Sequence, residues 1–446
     1  MPSWRRCLLA AILIAGVLVM ATLGIQDVKL FRASVVAGVV LVLWLTEVIP
    51  LFATTFVLWV AVVLALGPLD GAAFGLTPVL SVAASPLLAL FLGGFVLSVA
   101  GAKYGIDTYI AAWLFRASRG NRRALLAAVM LGTAVLSMWM SNIAAAAMMV
   151  ATLKFLLDRE THPETPAFRT ALLLGIAFAA NFGGIGTPIG TGPNLIAIDA
   201  LSASHPINFL HWMMFGLPVA LVMVSLAYGL FVAVHRVKGR LNSGPVATAT
   251  LNTRGWTVVV IFFLAVAGWV LEPVHAMPAA VVALGATALL FGSGLLDKSD
   301  LARVEWSTLL VVAGGLSFGR LVEASGLAGT VAAGVDWQSL HPTILLFALV
   351  TTCAILSALA SNTAAAAMII PIAMSIVPNP GVAVLIALGA SMGAPFVFST
   401  PPNTLAYSQG GFGAHHLFIP GIVLMLVGCG LLTVFGPLLM RLTGIP

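Results

Sequence analysis

The stretch "WMSNIAAAAMM" (Trp139–Met149) places a Ser-Asn pair before four alanines inside an apolar region. A close copy, "LASNTAAAAMI" (Leu359–Ile369), follows later, and the two asparagines, Asn142 and Asn362, are 220 residues apart. An unpaired amide or backbone group is costly in hydrocarbon, so a polar pair that recurs there needs a structural or functional reason. The repeat predicts two polar turns, each placed within an apolar segment.

The composition indicates an integral membrane protein. Of 446 residues, 61% are hydrophobic and 8% are charged, whereas a soluble domain has roughly 25% charged residues. The net charge of +6 comes from lysines and arginines concentrated in a few loops. Basic residues in such loops indicate the orientation of the chain in the membrane, by the positive-inside rule, and not nucleic-acid binding. The three cysteines lack the spacing of a disulfide framework or a metal site, so we expect no cofactor.

The apolar runs predict an all-α polytopic membrane protein with about 11 transmembrane helices. The first run follows a charged start but is long for a signal peptide, so we expect a retained helix. Tryptophans such as Trp212 and Trp306 are expected at the membrane interface. The expected spans are 7–25, 33–49, 51–67, 84–102, 171–200 with an interruption, 209–235, 255–271, 279–295, 306–323, 381–407 with an interruption, and 417–440.

Two longer apolar stretches, 124–156 and 343–376, each hold a Ser-Asn pair near the middle. Each stretch is long enough for two half-helices, which predicts a re-entrant hairpin. With a cytoplasmic N-terminus and hairpins that return to their own side, 16 of the 20 lysines and arginines lie in cytoplasmic segments, as the positive-inside rule expects. Full spans would instead move the basic segments 157–170 and 236–254 to the outer side.

The two halves of the chain repeat more than the Ser-Asn pair. "LGGFVLSVAGAKYGI" (Leu92–Ile106) resembles "AGGLSFGRLVEASGL" (Ala313–Leu327), and "GGIGTPIGTGPN" (Gly183–Asn194) resembles "GAPFVFSTPPN" (Gly393–Asn403). Five membrane crossings separate the two hairpins in the expected topology, so the copies have opposite orientations. An inverted repeat with two re-entrant hairpins and two broken helices is the architecture of secondary transporters, with the binding site near the midplane.

The expected hairpin tips and broken helices suit an anion and cations. The half-helix after each tip points its N-terminus at the centre, where free N–H groups and the helix dipole favour an anion. Gly, Thr and Pro in the two interrupted helices leave carbonyls and hydroxyls free, and such oxygens suit Na⁺. A single Ser-Asn pair would indicate helix packing, but four such elements in symmetric order favour one anion site flanked by two cation sites.

Several motifs together resemble the divalent anion–sodium symporter (DASS) family, which includes dicarboxylate, citrate and sulfate carriers. They are "SNI" and "SNT" before alanine-rich segments, "GTPIGTGPN", "STPPN" and "LWLTEVIPLFATTF" (Leu43–Phe56). The resemblance covers nearly the whole chain. It implies a homodimer in the inner (plasma) membrane, with scaffold parts that form the dimer and transport parts that move as an elevator. The expected parts are 1–83, 209–305 and 417–446 for the scaffold, and 84–208 and 306–416 for transport.

The family's functional residues carry over by motif to two Na⁺ sites and a substrate site. For the first Na⁺ site the resemblance implies Ser137, Ser141, Asn142 and Gly190. For the second it implies Ser357, Ser361, Asn362 and Ser399. The substrate carboxylates are expected against Asn142, Asn362, Thr363, Thr400 and Pro401.

Ile143 departs from the family pattern, because the first motif usually reads Ser-Asn-Thr. A hydroxyl is therefore missing at the substrate site, where Ile143 either contacts an apolar part of the substrate or packs within its hairpin. The leading prediction is a Na⁺-coupled carrier of di- or tricarboxylates. The alternatives are a Na⁺-independent exchanger, a sulfate-type carrier and an anion channel. We expect no enzyme, because the sequence shows no paired intramembrane acids, metal-spaced ligands or nucleophile elbow.

Overall fold

The computed structural model describes residues 8–9, 11–15, 27–157, 165–241, 250–334, 336–377 and 379–445, and most of the expected span 7–25 lies outside them. The regular elements in these ranges are helices. The longer ones are Val28–Thr46, Leu51–Ala65, Pro86–Lys103, Ile106–Ala117, Arg122–Ser137, Asn142–Leu157, Thr165–Gly183, Gly192–Leu201, Phe209–Val234, Thr253–Val270, Ala279–Gly292, Trp306–Ala324, Pro342–Leu359, Asn362–Ile376, Val382–Ala390, Pro401–Ser408 and His415–Thr443. The shorter ones are Gly71–Phe74, Leu76–Ser81, Val82–Ala84, Gly184–Gly186, Glu272–His275, Lys298–Leu301, Leu327–Ala333 and Trp337–Ser339.

The helices confirm the expected all-α polytopic membrane architecture. Within the described residues, 8 helices are long and apolar enough to cross a membrane, and four shorter apolar helices accompany them. Helix Ile106–Ala117 was not expected as a separate element. It is short and carries Asp107 in its first turn and Arg116 in its last turn, so it lacks the long apolar run by which a span is recognised.

Both Ser-Asn stretches form helical hairpins, as expected. Hairpin 1 consists of Arg122–Ser137 and Asn142–Leu157, and hairpin 2 consists of Pro342–Leu359 and Asn362–Ile376. The two arms of each hairpin pack against each other. Ser141 ends the turn of hairpin 1, because its hydroxyl accepts a hydrogen bond from the Ala144 N–H at 3.3 Å in the manner of an N-cap.

The two interrupted spans are broken helices, as expected. Broken helix 1 runs from Thr165–Gly183 through a single 3₁₀ turn and resumes at Gly192–Leu201. Broken helix 2 runs from Val382–Ala390 to Pro401–Ser408. Both second halves begin with proline in the first turn, where its missing N–H costs nothing because no intrahelical partner exists there.

One asparagine in each half closes the unwound segment. The Asn194 amide donates hydrogen bonds to the carbonyl oxygens of Gly184 at 3.0 Å and Thr187 at 2.7 Å. The equivalent Asn403 amide donates to two carbonyl oxygens of its own unwound segment, both at 3.0 Å. Both asparagines are fully buried, so these bonds satisfy carbonyls that the interruption would otherwise leave unpaired in a dry interior.

The Gly-Gly pair in each half allows two helices to approach closely. A Cβ added at Gly93 would lie 2.6 Å from the Ala283 Cβ, and one added at Gly314 would lie 2.2 Å from the Thr55 Oγ1. Real Cβ atoms do not come so close, so only glycine fits at either place. The packing therefore follows the internal repeat, whereas the division into scaffold and transport parts stays a prediction.

Candidate anion and cation site at the hairpin tips

The first polar cluster joins hairpin 1 to broken helix 1. The buried Ser137 hydroxyl lies 2.7 Å from the Asn142 side chain and donates to the Ala180 carbonyl oxygen at 2.6 Å. A Cβ at Gly184 would lie 2.6 Å from the Asn142 side-chain oxygen. The unwound backbone can thus reach the hairpin tip only because glycine stands there.

The Asn142 amide determines what this cluster can hold. With its nitrogen inward, the amide donates to Ala180 O at 3.2 Å, Gly190 O at 3.3 Å and Ser137 Oγ at 2.7 Å. With its oxygen inward, four oxygen atoms converge, and the single Ser137 proton can bond to only one of the other three, so a cation among them would relieve the remaining repulsion. Amide, hydroxyl and carbonyl oxygens are hard ligands, so the chemistry of this donor set fits Na⁺.

The second cluster repeats the first in hairpin 2 and broken helix 2. The Ser357 hydroxyl lies 2.6 Å from the Asn362 side-chain oxygen and donates to the Ala390 carbonyl oxygen at 2.5 Å. Ser357 is fully buried. In both halves, a serine five residues before the asparagine therefore connects the tip to the last turn of the first arm of the broken helix that follows the hairpin.

A second hydroxyl contact in each half ties the unwound segment to its hairpin. The Ser399 hydroxyl donates to the Ala358 carbonyl oxygen at 2.9 Å and accepts from the Phe396 N–H at 3.0 Å. In the first half, the Thr187 hydroxyl donates to the Met138 carbonyl oxygen. Thr187 therefore holds the place in the first half that Ser399 holds in the second.

The predicted substrate residues have unequal surroundings. Thr363 is 8% exposed, and a Cβ added at Gly192 would lie 2.3 Å from its hydroxyl oxygen. The Thr400 hydroxyl is buried and accepts from the backbone N–H of Asn403 at 3.4 Å. Ile143, in contrast, is 41% exposed, and the predicted substrate residue Pro401 is exposed as well.

Asn181 links the two broken helices and was missed by the sequence analysis. Its amide nitrogen donates to the Thr400 hydroxyl at 3.1 Å and to the Asn403 side-chain oxygen at 3.2 Å. Its own side-chain oxygen is buried and has no hydrogen-bond partner among the described residues. An asparagine inside the apolar run that precedes "GGIG" was the signal that could have identified it.

Trp212 has a different place from the one predicted. It is only 1% exposed, and its indole N–H donates to the Ile185 carbonyl oxygen at 3.0 Å. Trp212 therefore supports the unwound part of broken helix 1 instead of marking a membrane interface. Trp306 is 45% exposed, which agrees with the expected anchor.

The hydroxyl of the predicted cation residue Ser141 bonds to a residue outside the first cluster. It donates to the Glu305 carboxylate, which the sequence analysis did not consider. The equivalent Ser361 precedes helix Asn362–Ile376 without a side-chain cap bond. Ser137, Asn142 and Gly190 thus come together around Ala180, and Ser357 and Asn362 around Ala390, whereas the Ser141 hydroxyl is hydrogen-bonded to Glu305.

The electrostatics of the assembled site favour an anion. Four helices begin at it: the second arms of the two hairpins and the second halves of the two broken helices. The contacts of Asn142 with Gly190 and of Thr363 with Gly192 connect three of these starts, and the contact of Asn181 with Thr400 connects the fourth to the end of the first arm of broken helix 1. Each helix N-terminus carries a partial positive charge and free N–H groups, so together they attract negative charge.

A cavity of about 420 Å³ lies beside the second arm of hairpin 2. Arg320, Glu323 and Asp199 line it. Gly315 lines it as well, and a Cβ added there would lie 3.4 Å from the Thr363 Cγ2. Through Gly315, the cavity therefore comes close to Thr363 at the tip of hairpin 2.

The fold and the site together define a multi-pass membrane transporter of the anion-carrying type, and the comparisons with known proteins agree. The family model for citrate transporters (CitMHS) matches residues 41–388. An uncharacterized transporter of Haemophilus influenzae is 30% identical over 417 residues, which cover 86% of this chain and 87% of that protein. The chain therefore belongs to the citrate transporter family, and the resemblance inferred from the motifs is confirmed.

Two more relatives and one solved structure are informative. The sodium-dependent dicarboxylate transporter SdcS of Staphylococcus aureus is 28% identical over 82% of this chain and 78% of its own length. The inorganic phosphate transporter PHO87 of Saccharomyces cerevisiae is 26% identical over 82% of this chain but 42% of its own length. The crystal structure of the YdaH transporter of Alcanivorax borkumensis has a similar fold, with a TM-score of 0.57 at 16% identity, covering 87% of this chain and 98% of that chain.

Proposed function

We propose that the protein is a Na⁺-coupled symporter of divalent organic anions, with di- and tricarboxylates such as succinate, malate and citrate as the substrate class. It works as a homodimer in the plasma (inner) membrane with a cytoplasmic N-terminus, and its transport parts move as an elevator. One observation carries the proposal: the Ser-Asn-carbonyl cluster of hairpin 1 recurs in hairpin 2 with the same contacts.

The two faces of an asparagine amide supply the coupling. When Asn142 turns its oxygen towards the carbonyls of Ala180 and Gly190, a cation must balance these oxygens. The same turn points its NH₂ group away from the cluster, where it can donate to a carboxylate. Asn142 therefore presents its donors to the anion only when its oxygen is held by a cation, and Asn362 does the same in the second half.

The helix starts add to this coupling. A dicarboxylate brings two negative charges, which four helix N-termini and two cations can offset without a basic side chain. None of the residues predicted to contact substrate is a lysine or arginine. Recognition of the anion therefore depends on amides, hydroxyls and cations, and it should fail when the cations are withdrawn.

Counterflow of labelled succinate into proteoliposomes tests the proposal. The vesicles are preloaded with unlabelled succinate, and the external Na⁺ is either kept or replaced by choline. We expect saturable uptake that requires Na⁺ and is inhibited by malate and citrate more than by sulfate or phosphate. Equal uptake in Na⁺ and in choline would favour a Na⁺-independent exchanger. Uptake that follows voltage alone without saturation would favour a channel.

A further inference from the structure

Glu305 has a contact that the proposed function does not explain. It is half-buried, directly before helix Trp306–Ala324, and its carboxylate accepts a hydrogen bond from the Ser141 hydroxyl at the tip of hairpin 1. The other carboxylate oxygen accepts from the Thr308 hydroxyl at 3.1 Å. Both partners are neutral, and among the described residues no ion pair involves Glu305.

The Glu305 carboxylate occupies a place where an anion is favoured. Ser141 is the N-cap of the second hairpin arm, which begins at Asn142. The first N–H groups of a helix have no intrahelical partner, and with the helix dipole they attract negative charge. Glu305 thus places a charge of its own beside the helix start that the proposed function assigns to a substrate carboxylate.

The Ser141 hydroxyl is also fully engaged. A hydroxyl has one proton to donate, and Ser141 donates it to Glu305. Its oxygen meanwhile accepts from the Ala144 N–H at 3.3 Å. In this conformation Ser141 therefore has no proton to offer a substrate, and the neighbouring Ile143 is the exposed residue of the tip.

In the part of the second half that the structure describes, no equivalent contact is found. Ser85 and Glu305 stand directly before equivalent helices, Pro86–Lys103 and Trp306–Ala324, and Ser361 is 220 residues after Ser141. Ser85 uses its hydroxyl to accept from the Leu88 N–H at 3.3 Å, and Ser361 makes no side-chain cap bond. One hairpin tip is therefore held by a carboxylate, and its counterpart is not.

We propose that Glu305 is a latch on hairpin 1, an internal carboxylate that holds the tip through Ser141 and competes with the substrate anion for the same helix start. The proposal rests on the proposed function for the identity of the competing anion. It makes Glu305 a residue that determines both the apparent affinity for divalent anions and the mobility of one tip. Binding of the anion at hairpin 1 then requires Glu305 to release Ser141.

Cysteine labelling tests the latch without any transport. Cys353 and Cys429 are buried, so Ile143→Cys, in a chain with Cys7→Ser, reports on the hairpin 1 tip. We expect maleimide to modify this cysteine about threefold to tenfold faster when Glu305→Ala or Glu305→Gln is added. Ser85→Ala is the matched control at the equivalent position, and Leu359→Cys, on the exposed tip of hairpin 2, should react at the same rate with and without Glu305→Ala.

Uptake kinetics test the competition. Glu305→Gln keeps the size of the side chain and removes its charge, so the KM for succinate should fall about threefold to tenfold, and the KM for the monoanion lactate should fall less.

An unchanged labelling rate at Ile143→Cys in both Glu305 variants would overturn the latch. A raised Na⁺ requirement with an unchanged succinate KM would also overturn it, because Glu305 would then be a cation ligand. If the unaltered protein takes up no anion at all, the proposed function fails, while the labelling rates still decide the latch.

Discussion

Hairpin 1 and hairpin 2 are built on the same internal contacts but differ at their tips. In each, a buried serine connects the tip asparagine to a carbonyl at the end of a broken-helix arm. At the tips, Ile143 is exposed where Thr363 is buried, and Ser141 is bonded to Glu305 where Ser361 lacks a cap bond.

The comparison separates what both halves must do from what only one half does. The shared contacts lie in the dry interior, where a polar group without a partner is costly. Their repetition indicates a common task, which we propose is to bind cations and orient the two amides. The differences lie at the rim of the site, where a change of one side chain alters the anion preference without disturbing the buried cluster.

Removal of either tip asparagine should have the largest effect. Asn142→Ala or Asn362→Ala removes an amide that serves a cation with its oxygen and the anion with its nitrogen. Loss of charge-assisted bonds on both sides should lower succinate uptake by about 100-fold or more. Size-exclusion chromatography of both variants should still show a folded protein of unaltered assembly. Normal uptake by either variant would show that the two tips are not functionally equivalent.

Two equivalent glycines test whether the packing of the halves is as similar as the hydrogen bonds. A Cβ at Gly183 would lie 2.5 Å from the backbone of Ala134, and one at Gly393 would lie 2.3 Å from the Ala354 carbonyl oxygen. Since backbone atoms cannot yield as a side chain can, Gly183→Ala and Gly393→Ala should each lower the free energy of unfolding by about 1–3 kcal/mol.

Gly285→Ala is the matched control for these two glycines, because none of the residues that the structure describes has an atom within 4 Å of a Cβ added there. In a helix interior this change should stabilise by about 0.5–1 kcal/mol. Thermal unfolding of the detergent-solubilised protein measures all three variants. A large loss of stability for only one of the two glycines would show that the hairpins pack differently.

The two buried serines should affect cation dependence more than anion affinity. Ser137→Ala and Ser357→Ala each remove one hydroxyl from a cluster, at a cost of about 1 kcal/mol. This corresponds to roughly a fivefold rise in the Na⁺ concentration for half-maximal uptake. Uptake measured over a Na⁺ series at saturating succinate tests this, and an unchanged Na⁺ requirement in both variants would remove the serines from the cation sites.

Ile143→Thr should have the smallest effect, because the side chain is partly exposed and water competes with any new bond. The added hydroxyl gives hairpin 1 the group that hairpin 2 already has. The affinity for small or more highly charged anions should rise about threefold, with little change in Na⁺ dependence. Competition by dicarboxylates, citrate and sulfate is the measurement, and an identical rank order in both proteins would place Ile143 outside the substrate contacts.

The hairpins and the broken helices can be predicted from the sequence because polar or helix-breaking residues interrupt the apolar runs at those places. Ser-Asn, Gly and Pro are poor choices inside a lipid-embedded helix unless the chain turns or unwinds there. The contact between Ser137 and Asn142 can also be predicted, since the two residues are close in sequence. These signals are local, and the repeat doubles each of them.

Long-range partners could not be predicted from the same sequence. Nothing local shows that Asn181 reaches Thr400 across 219 positions, or that Ser141 meets Glu305 across 164. Trp212 looked like an interfacial anchor because tryptophans at helix ends commonly are. Its burial against Ile185 depends on the unwinding of another helix, which sequence spacing does not reveal.

Succinate counterflow with and without Na⁺, in the unaltered protein and in Asn142→Ala and Asn362→Ala, tests the central claim most directly. That claim is that two equivalent clusters bind cations and one anion together. We predict saturable, Na⁺-dependent uptake by the unaltered protein and almost none by either variant, even at high Na⁺. Equal uptake in Na⁺ and choline by the unaltered protein, or full activity in one of the asparagine variants, would contradict it.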